Sequence, residues 1–246
     1  MITKEILEDL YTKQNLGAEA VSKQLGVCKT TILRRLRKFQ IPLKPRAGYK
    51  RFFHNEEFFD NWSHEMAYIT GFIAADGHIW KNRPILEIGI HPKDISILEF
   101  IRDNVSPTTP ITYRDPECVR FLITSIPITQ ALSKYNITNT KTYNMKIDFD
   151  IPDDYFWDYF RGFMDGDGYA TYNQYGPRIQ LDGASEQFLL DIKKLTGNRG
   201  SRVTRPPNHC FRISFGKKDS IFMREKMYTN CCFGLERKKN KLYGIT

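Results

Sequence analysis

The sequence predicts an α+β fold: two halves related by an approximate twofold, each led by a helix and followed by strands, behind an N-terminal all-α module. Three observations predict it. Tyr68-Ile69-Thr70-Gly71-Phe72-Ile73-Ala74-Ala75-Asp76-Gly77 returns 91 positions later as Tyr159-Phe160-Arg161-Gly162-Phe163-Met164-Asp165-Gly166-Asp167-Gly168. The apolar pattern beyond it repeats at the same interval. The whole excess of positive charge lies ahead of the repeat.

The chain of 246 residues is long enough for one large or two small domains. At 41% hydrophobic and 13% aromatic it can fill real cores. No apolar run approaches the roughly 18 residues of a membrane span, so no membrane partner is expected. Met1-Ile2-Thr3-Lys4-Glu5 lacks the apolar stretch of a signal peptide. Cys28, Cys118, Cys210, Cys231 and Cys232 are an odd set without C-x-x-C spacing, which argues against a disulfide framework and a zinc site. A reduced, cytoplasmic-type interior is the expected setting. No G-x-x-x-x-G-K-[ST] loop exists, so no nucleotide cofactor is expected.

The N-terminal element comes first. Lys4 to Lys13 reads as a helix with Ile6, Leu7, Leu10 and Tyr11 on one face. Gly17 to Leu25 reads as a second helix, Gly26-Val27 as a tight turn, and Lys29 to Phe39 as a third, with Ile32, Leu33, Leu36 and Phe39 inward. Pro42 and Pro45 end it. The net charge of +9 originates here, because from Ala20 to Asn55 there is no acidic residue. Such a block is the footprint of a polyanion partner, although a solvated helix face with a basic linker has the same composition. The pattern resembles the helix-turn-helix modules of many DNA-binding proteins. That resemblance makes residues 1–45 a DNA-binding module. It puts Lys29, Thr30, Thr31 and Arg34 at base edges, and Arg35, Arg37 and Lys38 at phosphates. Residues 46–65 read as a basic and aromatic linker, with Lys44, Arg46, Lys50 and Arg51 along an extended arm. Phe52, Phe53, Phe58, Phe59 and Trp62 read as a short helix packed on the duplicated domain.

The repeated helices carry the chemistry. Gly71 and Ala75, like Gly162 and Gly166, stand at i, i+4 and form a small-residue stripe that lets two helix backbones approach closely. Asp76 and Asp167 end their helices, each before a glycine able to take a left-handed cap. A carboxylate at a helix C-terminus opposes the dipole, so its presence twice calls for another cause. A shared divalent cation supplies one: both carboxylates with the carbonyls of Ala75 and Gly166 make a hard oxygen set suited to Mg²⁺, Mn²⁺ or Ca²⁺. Two solvent-facing cap residues are the plainer alternative.

Both segments resemble the LAGLIDADG motif of a family of homing endonucleases. The second copy is a close match; the first has Ala74 where the motif has its earlier acid. The resemblance runs over residues 66 to 246, with halves at 66–150 and 151–246. It implies αββαββα-type halves forming a DNA-binding β-saddle, a single chain acting as a monomer, and Asp76 and Asp167 as metal-binding catalytic acids. It further implies a lysine near each centre, for which Lys141 and Lys238 are the candidates. Either can equally be a surface lysine, and Lys239 and Lys241 compete with Lys238. In the ribbons after each motif, Trp80, Lys81, Arg83, Tyr172 and Asn173 are candidate DNA contacts. His91 and Asp182, at corresponding strand ends, fit either the site's solvent shell or a turn.

The function expected is a metal-dependent, site-specific cut through both strands of a long, asymmetric DNA target. A non-cleaving DNA-binding regulator and an intron maturase on the same scaffold are the alternatives. The first predicts loss of a catalytic acid, and both are present. The second needs RNA, whose narrow major groove suits a helix-turn-helix poorly.

Overall fold

The computed structural model describes residues 2–14, 16–43, 52–207 and 209–245. It divides into two compact units, Met1–Arg51 and Phe52–Thr246.

In the first unit, α1 (Lys4–Leu7) passes directly into a π-helical stretch, Glu8–Lys13. The Thr3 hydroxyl caps its start by accepting from Ile6 N at 3.5 Å. Then come α2 (Ala18–Gln24) and α3 (Lys29–Lys38). Leu7, Leu10, Tyr11, Val21, Ile32, Leu36 and Ile41 form one small core. Leu33 and Phe39, expected inside, are only half-buried. The turn from α2 to α3 passes through Gly26 at φ 64°, a left-handed conformation that favours glycine. Lys44, Arg46, Lys50 and Arg51 lie outside the described residues.

The second unit opens with residues 52–62. Residues 56–60 form turns rather than the expected helix. The Asn55 N–H donates to Val105 O at 2.8 Å, and Phe53 N–H donates to Thr108 Oγ1 at 2.6 Å. Phe59 is fully buried in the main core, but Phe53 is 64% exposed. Within the segment the backbone bonds span three residues, Phe58 N–H to Asn55 O at 3.2 Å and Asp60 N–H to Glu57 O at 3.0 Å, which makes turns and not a helical ladder.

α4 (His64–Asp76) follows, its first turn capped by Ser63, then β1 (Gly77–Ile79) and β2 (Ile85–Ile90). A 3₁₀ turn, Pro92–Asp94, leads into α5 (Ile95–Val105), β3 (Thr112–Asp115), β4 (Cys118–Thr124), α6 (Ile126–Ser133) and the single-turn α7 (Lys141–Asn144). The second half repeats the plan: α8 (Asp153–Gly166), β5 (Gly168–Asn173), β6 (Gly176–Gly183), α9 (Glu186–Leu195), β7 (Phe211–Phe215), α10 (Lys217–Tyr228) and α11 (Glu236–Tyr243). The first sheet is antiparallel in the order β1-β2-β4-β3, the second in the order β5-β6-β7. A fourth strand in the second sheet shrinks to one bridge, Thr204 to Arg212. Pro206 and Pro207 follow at once and cannot donate to a ladder.

Strand alternation turns Val119, Phe121, Ile123, Ile179, Leu181, Ile213 and Phe215 inward to one continuous core with the helices. The ungapped match between the halves conceals two compensating shifts. Gly77 pairs with Ile88, but Gly168 pairs with Leu181. The second hairpin is two residues longer and the link into its following helix two residues shorter. A shift of two preserves the face of every side chain, so the apolar pattern does not register it.

Candidate active site

The small-residue stripes of α4 and α8 meet. A Cβ built on Gly71 would stand 1.9 Å from the Tyr159 carbonyl oxygen, and one on Gly162 would stand 2.0 Å from that of Tyr68. Backbone therefore lies on backbone along the pseudo-twofold. At the far end, a Cβ on Gly166 would stand 2.4 Å from the Ala75 Cβ and 3.2 Å from Asp76 Oδ2. The Asp76 carboxylate of one half thus lies over the helix end of the other.

The glycines after the acids do a different job from the one expected. Gly77 has φ −75° and ψ 149°, so it is extended and not left-handed. A Cβ there would stand 2.5 Å from Ile73 Cγ2, and on Gly168 it would stand 2.3 Å from Met164 Sδ. Each chain folds back over its own last helical turn, and only glycine fits the space.

Both lysines lie at these ends. Lys141 Nζ donates to the carbonyls of Ala74 at 2.5 Å and Ala75 at 2.6 Å. Lys238 Nζ shares its three N–H donors among Met164 O at 2.7 Å, Asp165 O at 2.8 Å, Gly166 O at 2.9 Å and Gly168 O at 2.9 Å. Each ammonium satisfies carbonyls that a helix C-terminus leaves unpaired and opposes the negative end of the dipole. Lys238 is buried and Lys141 half-buried, so surface placement does not describe them. Lys239, by contrast, reaches Glu236 at 3.5 Å and stands 5.9 Å from the centre of the Tyr228 ring, away from the helix ends.

The acids and lysines form one electrostatic group. Burial, then the negative charge of Asp167, pushes Asp76 up to about 6. The surrounding protein also raises Asp167, although its greater exposure keeps more water at the carboxylate, and both lysines act against the rise. Burial brings Lys141 and Lys238 each down to about 8. The charges cross between halves: Lys141 acts most on Asp167, and Lys238 acts more than Lys141 on Asp76. A cavity of about 80 Å³ lies between Lys141 and Asp167, room for two or three waters at roughly 30 Å³ each.

This donor set fits a hard cation. Two carboxylates held at raised pKa are under-compensated anions, and oxygen ligands are what Mg²⁺ or Ca²⁺ takes. Among the described residues no three His, Cys, Asp or Glu side chains gather, so carbonyls and water would complete the shell. The carbonyls of Ala75 and Gly166 already accept from lysine, and each retains a second lone pair.

Polar residues on α8 brace the segment that carries Lys238, and sequence reasoning assigned them no role. Arg161, 1% exposed, donates from Nε to Phe233 O at 2.7 Å, from Nη1 to Met227 O, and from Nη2 to Asp158. Asp158 Oδ2 in turn holds His64 Nδ1 at 2.7 Å. One turn on, Asp165 Oδ2 accepts from Tyr68 Oη at 2.8 Å and Leu235 N at 2.9 Å. The signal was available in the repeat, because Arg161 and Asp165 stand where α4 has Thr70 and Ala74.

The remaining candidates lie apart from this group. Lys81 and Arg83 are exposed in the β1–β2 turn, while the Trp80 indole donates to Glu87 Oε2 at 2.8 Å. Tyr172 is solvent-exposed but shares the helix-side face of β5 with Ala170, beside Gly244 at the end of α11, so strand alternation turns it away from the expected DNA face; Asn173 Oδ1 is engaged in its own turn, accepting from Tyr175 N at 2.9 Å. His91 also serves a turn, accepting from Lys93 N at 3.1 Å, and Asp182 pairs with Arg212 at 2.7 and 2.9 Å. On α3, Arg34, Arg37 and Lys38 are exposed, and Lys29 pairs with Glu19 at 3.0 Å. Thr30 and Thr31 hydroxyls each lie 3.0 Å from Cys28 Sγ. Arg35 is half-buried and donates from Nη1 to Ile2 O at 3.1 Å, a brace within the first unit. Sequence reasoning also passed over Tyr169, Arg178, Gln180, Arg212 and Arg120, which alternation points away from the core once the register is known.

No protein-family model and no curated protein matches the chain. Solved structures do. The homing endonuclease I-WcaI, bound to its DNA recognition sequence, aligns over 84% of this chain and 97% of its own, with a TM-score of 0.53 and 14% identity. The chain has the LAGLIDADG fold. A second LAGLIDADG structure, the meganuclease I-AabMI bound to uncleaved DNA, aligns over 70% of this chain and 86% of its own, at a TM-score of 0.52 and 14% identity. In the LAGLIDADG fold of this chain, α4 and α8 are the two motif helices. Among the described residues no helix is long and apolar enough to cross a membrane.

Proposed function

We propose that this LAGLIDADG chain is a site-specific DNA endonuclease that cuts both strands of a long, asymmetric duplex. One observation carries the reading. The Asp76 carboxylate lies over Gly166 at the opposite helix end, beside Asp167, with a lysine ammonium at each end. Acids paired this closely at the negative ends of two helices weaken the protein unless a cation joins them.

Asp76 and Asp167, with the Ala75 and Gly166 carbonyls, would hold Mg²⁺ or a similar ion. Bound there, such an ion makes bound water a better nucleophile and stabilises charge on attacking and leaving oxygens. Lys141 and Lys238 orient the carbonyl ends and place positive charge where a phosphodiester gains negative charge. The residues turned outward from the two sheets, with Lys81 and Arg83, would meet the duplex. Residues 1–45 would act as a helix-turn-helix module, with Lys29, Thr30, Thr31 and Arg34 toward bases and Arg37 and Lys38 toward phosphates. Both halves come from one chain, so a monomer suffices, working in whatever soluble compartment holds the DNA.

The test is cleavage, in Mg²⁺, of the DNA flanking this reading frame after the frame has been removed, with the ends mapped. A double-strand break at one position, abolished by EDTA, is the expected result. Binding without any break in Mg²⁺ or Mn²⁺ would overturn the enzyme and leave a DNA-binding protein.

A further inference from the structure

Asp94 and Ser185 stand 91 positions apart, the same interval as Asp76 and Asp167. Each immediately precedes the second helix of its half. Each also reaches across the pseudo-twofold to the segment that carries the other half's lysine. The Asp94 carboxylate accepts from Arg237 at Nε (2.7 Å) and Nη2 (2.5 Å), and Arg237 is the residue before Lys238. The Ser185 hydroxyl donates to Met145 O at 2.5 Å, four residues beyond Lys141.

The two clasps occupy corresponding places but differ in strength. A bidentate ion pair fixes direction as well as distance, whereas a single neutral hydrogen bond does less of both. Asp94 is 8% exposed, so its carboxylate depends on Arg237 for its counter-charge. The local sequence favours a different outcome. Arg237, Lys238 and Lys239 put three cations in the first turn of α11, where the helix dipole is positive. Tertiary partners override that preference for two of them: Asp94 takes Arg237, and the end of α8 takes Lys238. The two interactions follow one another in sequence and face different halves. The turn is thereby held to one half through Arg237 and to the other through Lys238.

We infer that the Asp94–Arg237 pair is a positioning clasp, which sets Lys238 from the opposite half and so governs cleavage of one particular DNA strand. Ser185 and Met145 form the weaker counterpart for Lys141 and the other strand. Neither Asp94 nor Arg237 touches DNA or metal in this role; both act through Lys238. The inference rests on the nuclease reading.

The test uses full-length protein and a supercoiled plasmid carrying a site selected with the wild-type chain from a randomised duplex library. Wild type, Asp94→Asn, Arg237→Gln, the double variant and Ser185→Ala are followed in Mg²⁺, with nicked circles sequenced to identify the first strand cut. Thermal unfolding, and binding to the same site in EDTA, establish that each variant folds and binds. Arg237 has a side chain 40% exposed, so Arg237→Gln keeps the measurement available if Asp94→Asn fails to fold. Both single variants slow the same strand about tenfold or more, as loss of an outer partner does at other sites, and spare the other strand. The double variant is no slower than the worse single, because both remove one interaction. Ser185→Ala slows the opposite strand. Equal slowing of both strands, different strands for the two single variants, or additive losses in the double would overturn the clasp. A wild-type chain that yields no cleavable site would overturn the nuclease reading, and the clasp with it.

Discussion

Gly71 and the carbonyl of Tyr159 are in backbone contact, so close that a Cβ on Gly71 would fall 1.9 Å from that oxygen. Gly162 repeats the contact against Tyr68 at 2.0 Å. These approaches bring the ends of α4 and α8 together, and the placement of Asp76 and Asp167 depends on them.

Gly71→Ala and Gly162→Ala therefore destabilise the fold. In an exposed helix alanine would gain about 1 kcal/mol over glycine. Here the added methyl meets main chain, which cannot swing aside, and the helices must separate. The net loss is at least about 2 kcal/mol, or several degrees in Tm for a chain of this size. Thermal unfolding of both variants measures it; an unchanged or raised Tm would show that the helices do not touch there.

The contribution of Asp76 to the stability of the metal-free protein falls as pH rises. Asp76 sits at about 6 in the fold, against 3.8 as its ordinary value. A carboxylate raised in the folded state contributes stability that is full below its unfolded pKa and is lost as pH climbs through the folded one. The window is thus about pH 4 to 6. Asp76→Asn makes the slope in that window shallower, the part due to Asp167 remaining, and leaves the variant more stable than wild type at pH 8 in EDTA. Added Mg²⁺ acts against the loss, and its stabilising effect grows with pH through 6 as the proton ceases to compete. Unfolding curves from pH 4 to 8, with and without Mg²⁺, decide this. A wild-type curve parallel to that of Asp76→Asn would contradict it.

Salt dependence reports on α3. Arg34, Arg37 and Lys38 are exposed, and each phosphate contact contributes about 0.9 to the slope of log affinity against log salt on duplex DNA. Replacing all three by alanine lowers the slope by about 2 to 3 and weakens binding across sequences alike. Arg35→Ala instead acts on stability, because Arg35 holds Ile2 O inside the first unit. Titrations at several salt concentrations separate the two, and an unchanged slope in the triple variant would remove α3 from the DNA contacts.

The site was legible in the chain to an uneven degree. Asp76, Asp167 and the glycine stripe stand in short segments repeated at one interval, so sequence periodicity carries them. The partners of Lys141 and Lys238 depend on where two segments 60 or more residues downstream return to the helix ends, and no local pattern encodes that. The Asp94–Arg237 pair spans 143 residues and lies beyond sequence reasoning for the same reason. The left-handed caps expected at Gly77 and Gly168 were wrong because small size, not positive φ, is what the fold needs there. The ungapped repeat concealed a two-residue change in hairpin length because strand periodicity is itself two. The bond from Arg35 to Ile2 O was not legible either, because a basic run on a helix does not state which member braces its own unit.

The most direct test of the central claim is strand cleavage by Asp76→Asn and Asp167→Asn on a plasmid carrying the selected target, in Mg²⁺. Each variant loses double-strand cleavage by a factor of at least about 10² to 10³, as when a single stabilising group is removed from a transition state, while target affinity holds. Linear product at the wild-type rate from both variants would contradict the account, because the cut would then owe nothing to the paired carboxylates.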